Sequence, residues 1–186
     1  MKIILASSSP RRCELLRQAG FDFETVASNV DENIDEPDPV ELVKKLALAK
    51  AESVAHDRDD AIIIGADTIV YIDGEILGKP SDQTDAFNML RKLSGRAHTV
   101  YTGLALINTA TNECELTVDN TDVYMCSLSD EEINSYIATG EPMDKAGAYG
   151  LQGRAGMFIR RIEGDFFTVV GLPLYRLQRL AKILYI

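Results

Sequence analysis

Residues 2–20, KIILASSSPRRCELLRQAG, change hydrophobic period once and abruptly. KIILA (2–6) is a short unbroken apolar run, the pattern of a buried strand. From about Ser9 the spacing becomes helical: Ser9 stands at the cap, Pro10 at the first helical position, and Gly20 where the helix ends. The switch recurs down the chain, and strand and helix patterns stay intermixed to the end. That intermixing points to an α/β protein with a mixed sheet rather than a pure βαβ series.

FDFETVAS (21–28) alternates like a strand, NVDENIDEPDP (29–39) is an acidic loop, and PVELVKKLALAKAESVA (39–55) is a helix with Val40, Val43, Leu46, Ala47 and Val54 at helical spacing. AIIIGADTIVYIDG (61–74) holds two apolar runs broken by GAD, then the hairpin signal DG. SDQTDAFNMLRKLSG (81–95) reads as a helix with Ser81 as cap and Gly95 as stop. HTVYTGLALIN (98–108) and CELTVDNTDVYMCSL (114–128) read as long antiparallel strands, and SDEEINSYIATG (129–140) as a helix whose Ser129 and Glu132 form a capping box. EPMDKAGAYGLQGRAG (141–156) is a glycine-rich polar loop, MFIRRIEGDFFTVVG (157–171) suggests a hairpin turning at EGD, and LPLYRLQRLAKILYI (172–186) is a closing helix. With no repeat, low-complexity tract or linker, the 186 residues are expected to form one domain, 1–186.

The SSSPRR turn is a local concentration of hydroxyls and positive charge in an acidic chain, with 19 Lys and Arg against 29 Asp and Glu and a net charge of -10. Such a surface repels polyanions, which argues against nucleic-acid binding but not against a small anion in a basic pocket. A helix amino end exposes free N–H groups at the positive end of its dipole, a ready anion site. Ser7, Ser8 and Ser9 add hydroxyls, and Arg11 and Arg12 add guanidinium groups suited to phosphate oxygens. The ordinary alternative is a capped helix with surface arginines. No P-loop or dinucleotide glycine pattern is present.

Asp67, between two apolar runs, is hard to explain by packing; it suits a hard-metal ligand or a general base, against the alternative of a turn aspartate. One of Asp31 and Glu32 supplies a candidate second metal carboxylate from the acidic loop. Lys79 in GKP suits a phosphate oxygen, and Lys50 is a further candidate whose default is an exposed helix lysine. The 141–156 stretch has the character of a shaped functional loop. In it, the Gln152 amide both donates and accepts, as recognition of a uracil-like ring requires, and Asp144 and Lys145 can form a structural ion pair. His56 reads as a surface residue and His98 as structural, and no GxSxG elbow occurs. Cys13, Cys114 and Cys126 have no CxxC spacing and read as buried, reduced thiols. The amino-terminal apolar run is too short for a secretion signal and is followed by arginines. A cytoplasmic protein with no membrane partner is expected.

Together, LASSSPRR, GADTIV, LGKP, LRKLSGRAHTVYTG, EPMDKAGAYGLQG and VVGLP resemble, in order and over nearly the whole chain, the Maf family of nucleoside triphosphate pyrophosphatases. The resemblance implies an elongated mixed sheet flanked by helices, two lobes around a cleft, related to inosine triphosphate pyrophosphatases. It implies metal-dependent cleavage between the α- and β-phosphates, giving a monophosphate and pyrophosphate, with Mg or Mn as the divalent cation. It makes Asp67 the catalytic carboxylate, aligns Arg12, Thr68 and Gln152 with positions that tune substrate choice, sets Glu32 near the metal, and sets Lys50 and Lys79 at the phosphates. The DKAGAYGLQG form is similar to the branch acting on dTTP, UTP and modified uridine triphosphates, with Leu151 where isoleucine is common. A homodimer is an expectation of the same kind. The competing function is a nucleotide-binding regulator of septum formation with little catalysis.

Overall fold

The sheet is built outward from β1 (Lys2–Leu5), which pairs in parallel with both β2 (Glu24–Thr25) and β3 (Ala61–Ile72). The computed structural model describes residues 1–183. Among these, seven strands form one sheet of order β2-β1-β3-β5-β6-β7, with β5 (Ala97–Asn108), β6 (Glu113–Met125) and β7 (Ile159–Glu163) completing it. The short β4 (Glu75–Leu77) pairs antiparallel with β3, as β7 does with β6, so the sheet is mixed. The helices are α1 (Pro10–Gln18), α2 (Pro39–Ala55), α3 (Gln83–Leu93), α4 (Asp130–Ile137), α5 (Phe166–Val170) and α6 (Leu174–Ile183). This is the expected α/β class with a mixed sheet. The last three residues of the expected closing helix lie outside the described residues.

The chain divides into two compact units. The first comprises Met1–Thr68, Thr102–Asp119 and the segment from Gly171 onward. Its core sets Ile4 and Ala6 of the β1 segment and Ala61 and Ile63 of β3 against Ala47, Ala51 and Val54 of α2. Helix α2 lies hard against the strands because two strand positions are glycine. A Cβ at Gly65 would overlap the Ala47 carbonyl oxygen, and one at Gly103 would overlap that of Val43. The second unit, Ile69–Tyr101 with Asn120–Val170, packs Ala86, Leu90 and Leu93 of α3 with Ile133, Tyr136 and Ile137 of α4 and with Val100, Val123 and Met125 of the sheet. No helix among the described residues is long and apolar enough to cross a membrane.

Most boundaries follow the sequence reading. Helix α2 starts at Pro39 and ends at Ala55, with Asp38 capping it by accepting from the Val40 and Glu41 N–H groups. The Ser129–Glu132 capping box forms. Asp73 (φ 52) and Gly74 (φ 81) turn the β3–β4 hairpin with two positive φ angles, as the DG signal predicts.

Four expectations are corrected. GAD does not break a strand: β3 runs through it, because Gly65 makes room for α2 and Asp67 meets a cation from that helix. The cap of α3 is Asp82, whose side chain accepts from the Asp85 N–H, while Ser81 stays outside the helix and donates to the Asp85 carboxylate. Residues 157–171 do not form a hairpin. Strand β7 pairs with β6, and past Gly164 the Asp165 carboxylate accepts from the Phe167 N–H and turns the backbone into α5. Only Glu24–Thr25 of the expected 21–28 strand pairs with the sheet.

Candidate active site

The amino end of α1 is not capped in the expected way. Ser9 holds the cap position with extended backbone but makes no side-chain cap bond; its own N–H donates to the Ser7 hydroxyl at 3.1 Å. Ser7 is 5% exposed and therefore fixed beneath the turn rather than spread over it. The half-buried Arg12 then distributes its guanidinium over three acceptors. Nε donates to the Gly171 carbonyl at 2.8 Å, Nη2 to Thr68 Oγ1 at 3.1 Å, and Nη1 to Ser7 Oγ at 3.4 Å. Burial, and less so the charge of the adjacent Arg11, lowers the Arg12 pKa, while Asp67 and Glu32 oppose that shift. An arginine remains charged regardless. The surface-arginine alternative therefore fails for Arg12: it is the hub of a polar network, not a solvated charge.

The neighbouring strand position carries a second cluster. Lys50 Nζ lies 2.6 Å from Asp67 Oδ1 and 2.6 Å from Glu32 Oε1. The Lys50 and Asp67 side chains are only 7% and 10% exposed, whereas Glu32 is 47% exposed. A lone buried carboxylate would be strongly disfavoured; an ammonium from α2 makes this one tenable. Lys50 is thus not the exposed helix lysine of the default reading. Of the two loop carboxylates, Glu32 reaches the cluster, while Asp31 accepts the N–H of Asn33 two residues on.

Ser7, Arg12, Thr68, Asp67, Lys50 and Glu32 come together in the first unit, with Ser9 and Arg11 flanking them on the α1 turn. Lys79 and Gln152 belong to the second unit. Lys79 is exposed beside Gly78, whose carbonyl accepts the Gly147 N–H at 3.0 Å. Gln152 is exposed at the corner of a turn closed by the Gly153 N–H on the Gly150 carbonyl at 3.0 Å.

Sequence reasoning missed Thr102 and Gly171. Thr102 is fully buried with Oγ1 3.0 Å from Thr68 Oγ1, and Gly171, at φ +109, presents its carbonyl to Arg12. A hydroxyl inside the apolar run of VYTGLALI was a usable signal for Thr102; the Gly171 carbonyl has none, since backbone acceptors leave no mark in a sequence. His98 is structural, as expected, with Nε2 2.7 Å from the Tyr149 hydroxyl, and Lys145 pairs with Asp144 at 2.6 Å. The cysteines are free but not buried: Cys114 is exposed and Cys13 and Cys126 are half-buried.

The donors fit a hard divalent cation. Two carboxylates already converge on one positive charge, and Mg or Mn is usually held by one or two carboxylates, with water and substrate phosphates completing the shell. No group of three or more His, Cys, Asp or Glu side chains that could hold an ion occurs among the described residues.

The fold is one seen before among mixed α/β proteins. The Staphylococcus aureus Ham1 protein superposes with a TM-score of 0.58 over 98% of each chain, at 13% identity, which establishes the likeness of fold alone. Sequence carries the assignment further: the chain belongs to the Maf family, whose Maf-like protein model matches residues 2–184. A Dictyoglomus thermophilum protein named dTTP/UTP pyrophosphatase is 53% identical, covering 96% of this chain and 94% of the relative. A Clostridium novyi protein of the same name is 51% identical over 97% of this chain and 96% of its own length.

Proposed function

We propose that this chain hydrolyses dTTP and UTP, and modified uridine triphosphates, to the monophosphate and pyrophosphate with the help of a divalent cation. The observation that carries the reading is the Lys50 ammonium shared by Asp67 and Glu32, one strand position from the Arg12–Thr68–Ser7 network. The relatives named dTTP/UTP pyrophosphatase supply the substrates.

Cleavage of the α–β phosphoanhydride needs compensation of the phosphate charge, an activated water and a group to take its proton. The α1 turn offers N–H groups, hydroxyls and the Arg11 and Arg12 charges to phosphate oxygens. Asp67 orients the water and accepts its proton on a carboxylate oxygen. Lys50, held by that carboxylate, fixes its direction and neutralises its charge before substrate arrives. Glu32 and Asp67 would hold the divalent cation, which when bound would neutralise phosphate charge and polarise the phosphoryl oxygen. Lys79 contributes a further phosphate contact, and the Gln152 amide pairs with the donor and acceptor edge of a uracil or thymine ring. Cytoplasmic nucleotide-pool sanitation by a homodimer belongs to the same reading.

A reading of binding without turnover predicts nucleotide affinity with no pyrophosphate release. The test is pyrophosphate release from dTTP, UTP, 5-methyl-UTP, CTP, GTP, 7-methyl-GTP and ITP, with and without Mg or Mn. Metal-dependent release confined to uracil and thymine nucleotides is expected. Release from 7-methyl-GTP alone overturns the substrate assignment, and no release from any member overturns the hydrolase.

A further inference from the structure

The turn that presents Gln152 is held from beneath by one carboxylate. Glu141 follows the left-handed Gly140 (φ 75) and begins a short 3-10 turn, Glu141–Asp144. Its two oxygens are divided between two donors. The Tyr136 hydroxyl donates to Oε1 at 2.9 Å, and the Arg154 N–H donates to Oε2 at 3.1 Å. Its backbone is anchored as well, with the N–H donating to Thr139 Oγ1 at 3.2 Å and the carbonyl accepting from Lys145 Nζ at 2.7 Å.

The Gln152 turn sits directly on this support. The Glu141 carboxylate lies where a Cβ at Gly153 would stand, and a Cβ at Gly150 would overlap the Lys145 side chain. Both ends of the turn, positions 150 and 153, thus rest on Glu141 or on the lysine that Glu141 holds. Only Leu151 and Gln152 lie between them. Tyr136 is a dependable donor at neutral pH, because burial, and then the bond to Glu141, pushes its pKa above the ordinary phenol range.

We propose that Glu141 is a positioning residue for base recognition: by linking Tyr136 of α4 to the Arg154 N–H, its carboxylate fixes the turn that aims the Gln152 amide. This inference rests on the base-reading role given to Gln152. A carboxylate is suited to the task because each oxygen takes a donor from a different side, and charged acceptors make the stronger hydrogen bonds. Glutamine keeps part of the link, since its oxygen can accept from the Arg154 N–H while its amide donates to the Tyr136 oxygen.

The test compares E141A, E141Q and Q152A, and the E141A/Q152A double variant, by kcat and KM for UTP and CTP, with thermal unfolding of each. E141A should raise KM for UTP about tenfold, the scale of one or two lost hydrogen bonds, with kcat within about twofold. Its UTP-over-CTP preference should fall as it does in Q152A, E141Q should recover most of it, and the double variant should be no worse than Q152A alone. If Q152A loses the preference but E141A keeps it, or the two losses add, Glu141 is only structural and the inference is overturned. If Q152A itself keeps the preference, the base-reading role falls and the inference falls with it.

Discussion

Lys50 Nζ is equidistant, at 2.6 Å, from a buried carboxylate on β3 and a half-exposed one from the acidic loop. Asp67 and Glu32 are thereby coupled through one ammonium. Asp67→Asn keeps the shape and loses the proton acceptor. At saturating Mg, which offsets the weakened hold on the cation, its kcat for UTP should fall at least about 100-fold, the lower range for loss of a positioned general base, with KM changed little. Wild-type turnover in this variant would remove Asp67 from the chemistry.

Arg12 makes three directed bonds through three different nitrogens. A lysine at this position has one ammonium and no planar fork, so charge conservation does not conserve the network. Arg12→Lys should therefore lose nearly as much kcat/KM for UTP as Arg12→Ala, about 10- to 100-fold in both, and chiefly through KM. An Arg12→Lys variant close to wild type would mean that only the charge matters. Steady-state kinetics on the two variants side by side decides it.

What was legible in the sequence follows from how local each signal is. The α2 limits, the capping box at Ser129 and the DG turn all depend on neighbours within a few residues, and all three hold. Asp67 stood out because a carboxylate between two apolar runs needs a reason, and Arg12 because positive charge gathers at a helix start in an acidic chain; Glu32 was separated from Asp31 only by the family resemblance. Lys50 was ambiguous, since its partners come from positions 32 and 67 and the helix alone gives no reason to bury an ammonium. The same limit explains GAD. A polar interruption in an apolar run reads as a break until the partner across it, Lys50, is known. Gly65 and Gly103 carried no legible meaning either, because the backbone that presses on them belongs to α2.

Those two glycines make a prediction about how the cluster is held. Alanine at either position would collide with a backbone carbonyl of α2, which cannot rotate away as a side chain can. Gly103→Ala should destabilise the fold by about 3 kcal/mol, at the upper end for overpacking. It should also lower kcat, because displacing α2 moves Lys50 away from Asp67. Gly78→Ala is the control: its Cβ would meet nothing within 4 Å. Urea unfolding of the three proteins should separate Gly103→Ala from the other two; equal midpoints would mean that α2 yields without cost.

His98 sets a pH dependence of stability. The ring is 3% exposed, its Nε2 is engaged by the Tyr149 hydroxyl, and its Nδ1 has no hydrogen-bond partner among the described residues. Burial lowers its pKa from 6.5 to about 4, partly offset by the charge of Asp122. Between those values the unfolded chain binds a proton that the folded chain does not, so stability rises with pH there and is lost as pH falls from about 6.5 towards 4. The His98 contribution to that loss should be about 2 kcal/mol between pH 7.5 and pH 5, reaching about 3 kcal/mol near pH 4. Carboxylates titrate in the same range, so the informative quantity is the difference between wild type and His98→Gln. Urea unfolding at pH 7.5, 6 and 5 should show wild type losing stability faster than the variant as pH falls. Parallel curves would mean that His98 accepts its proton in the folded state without penalty.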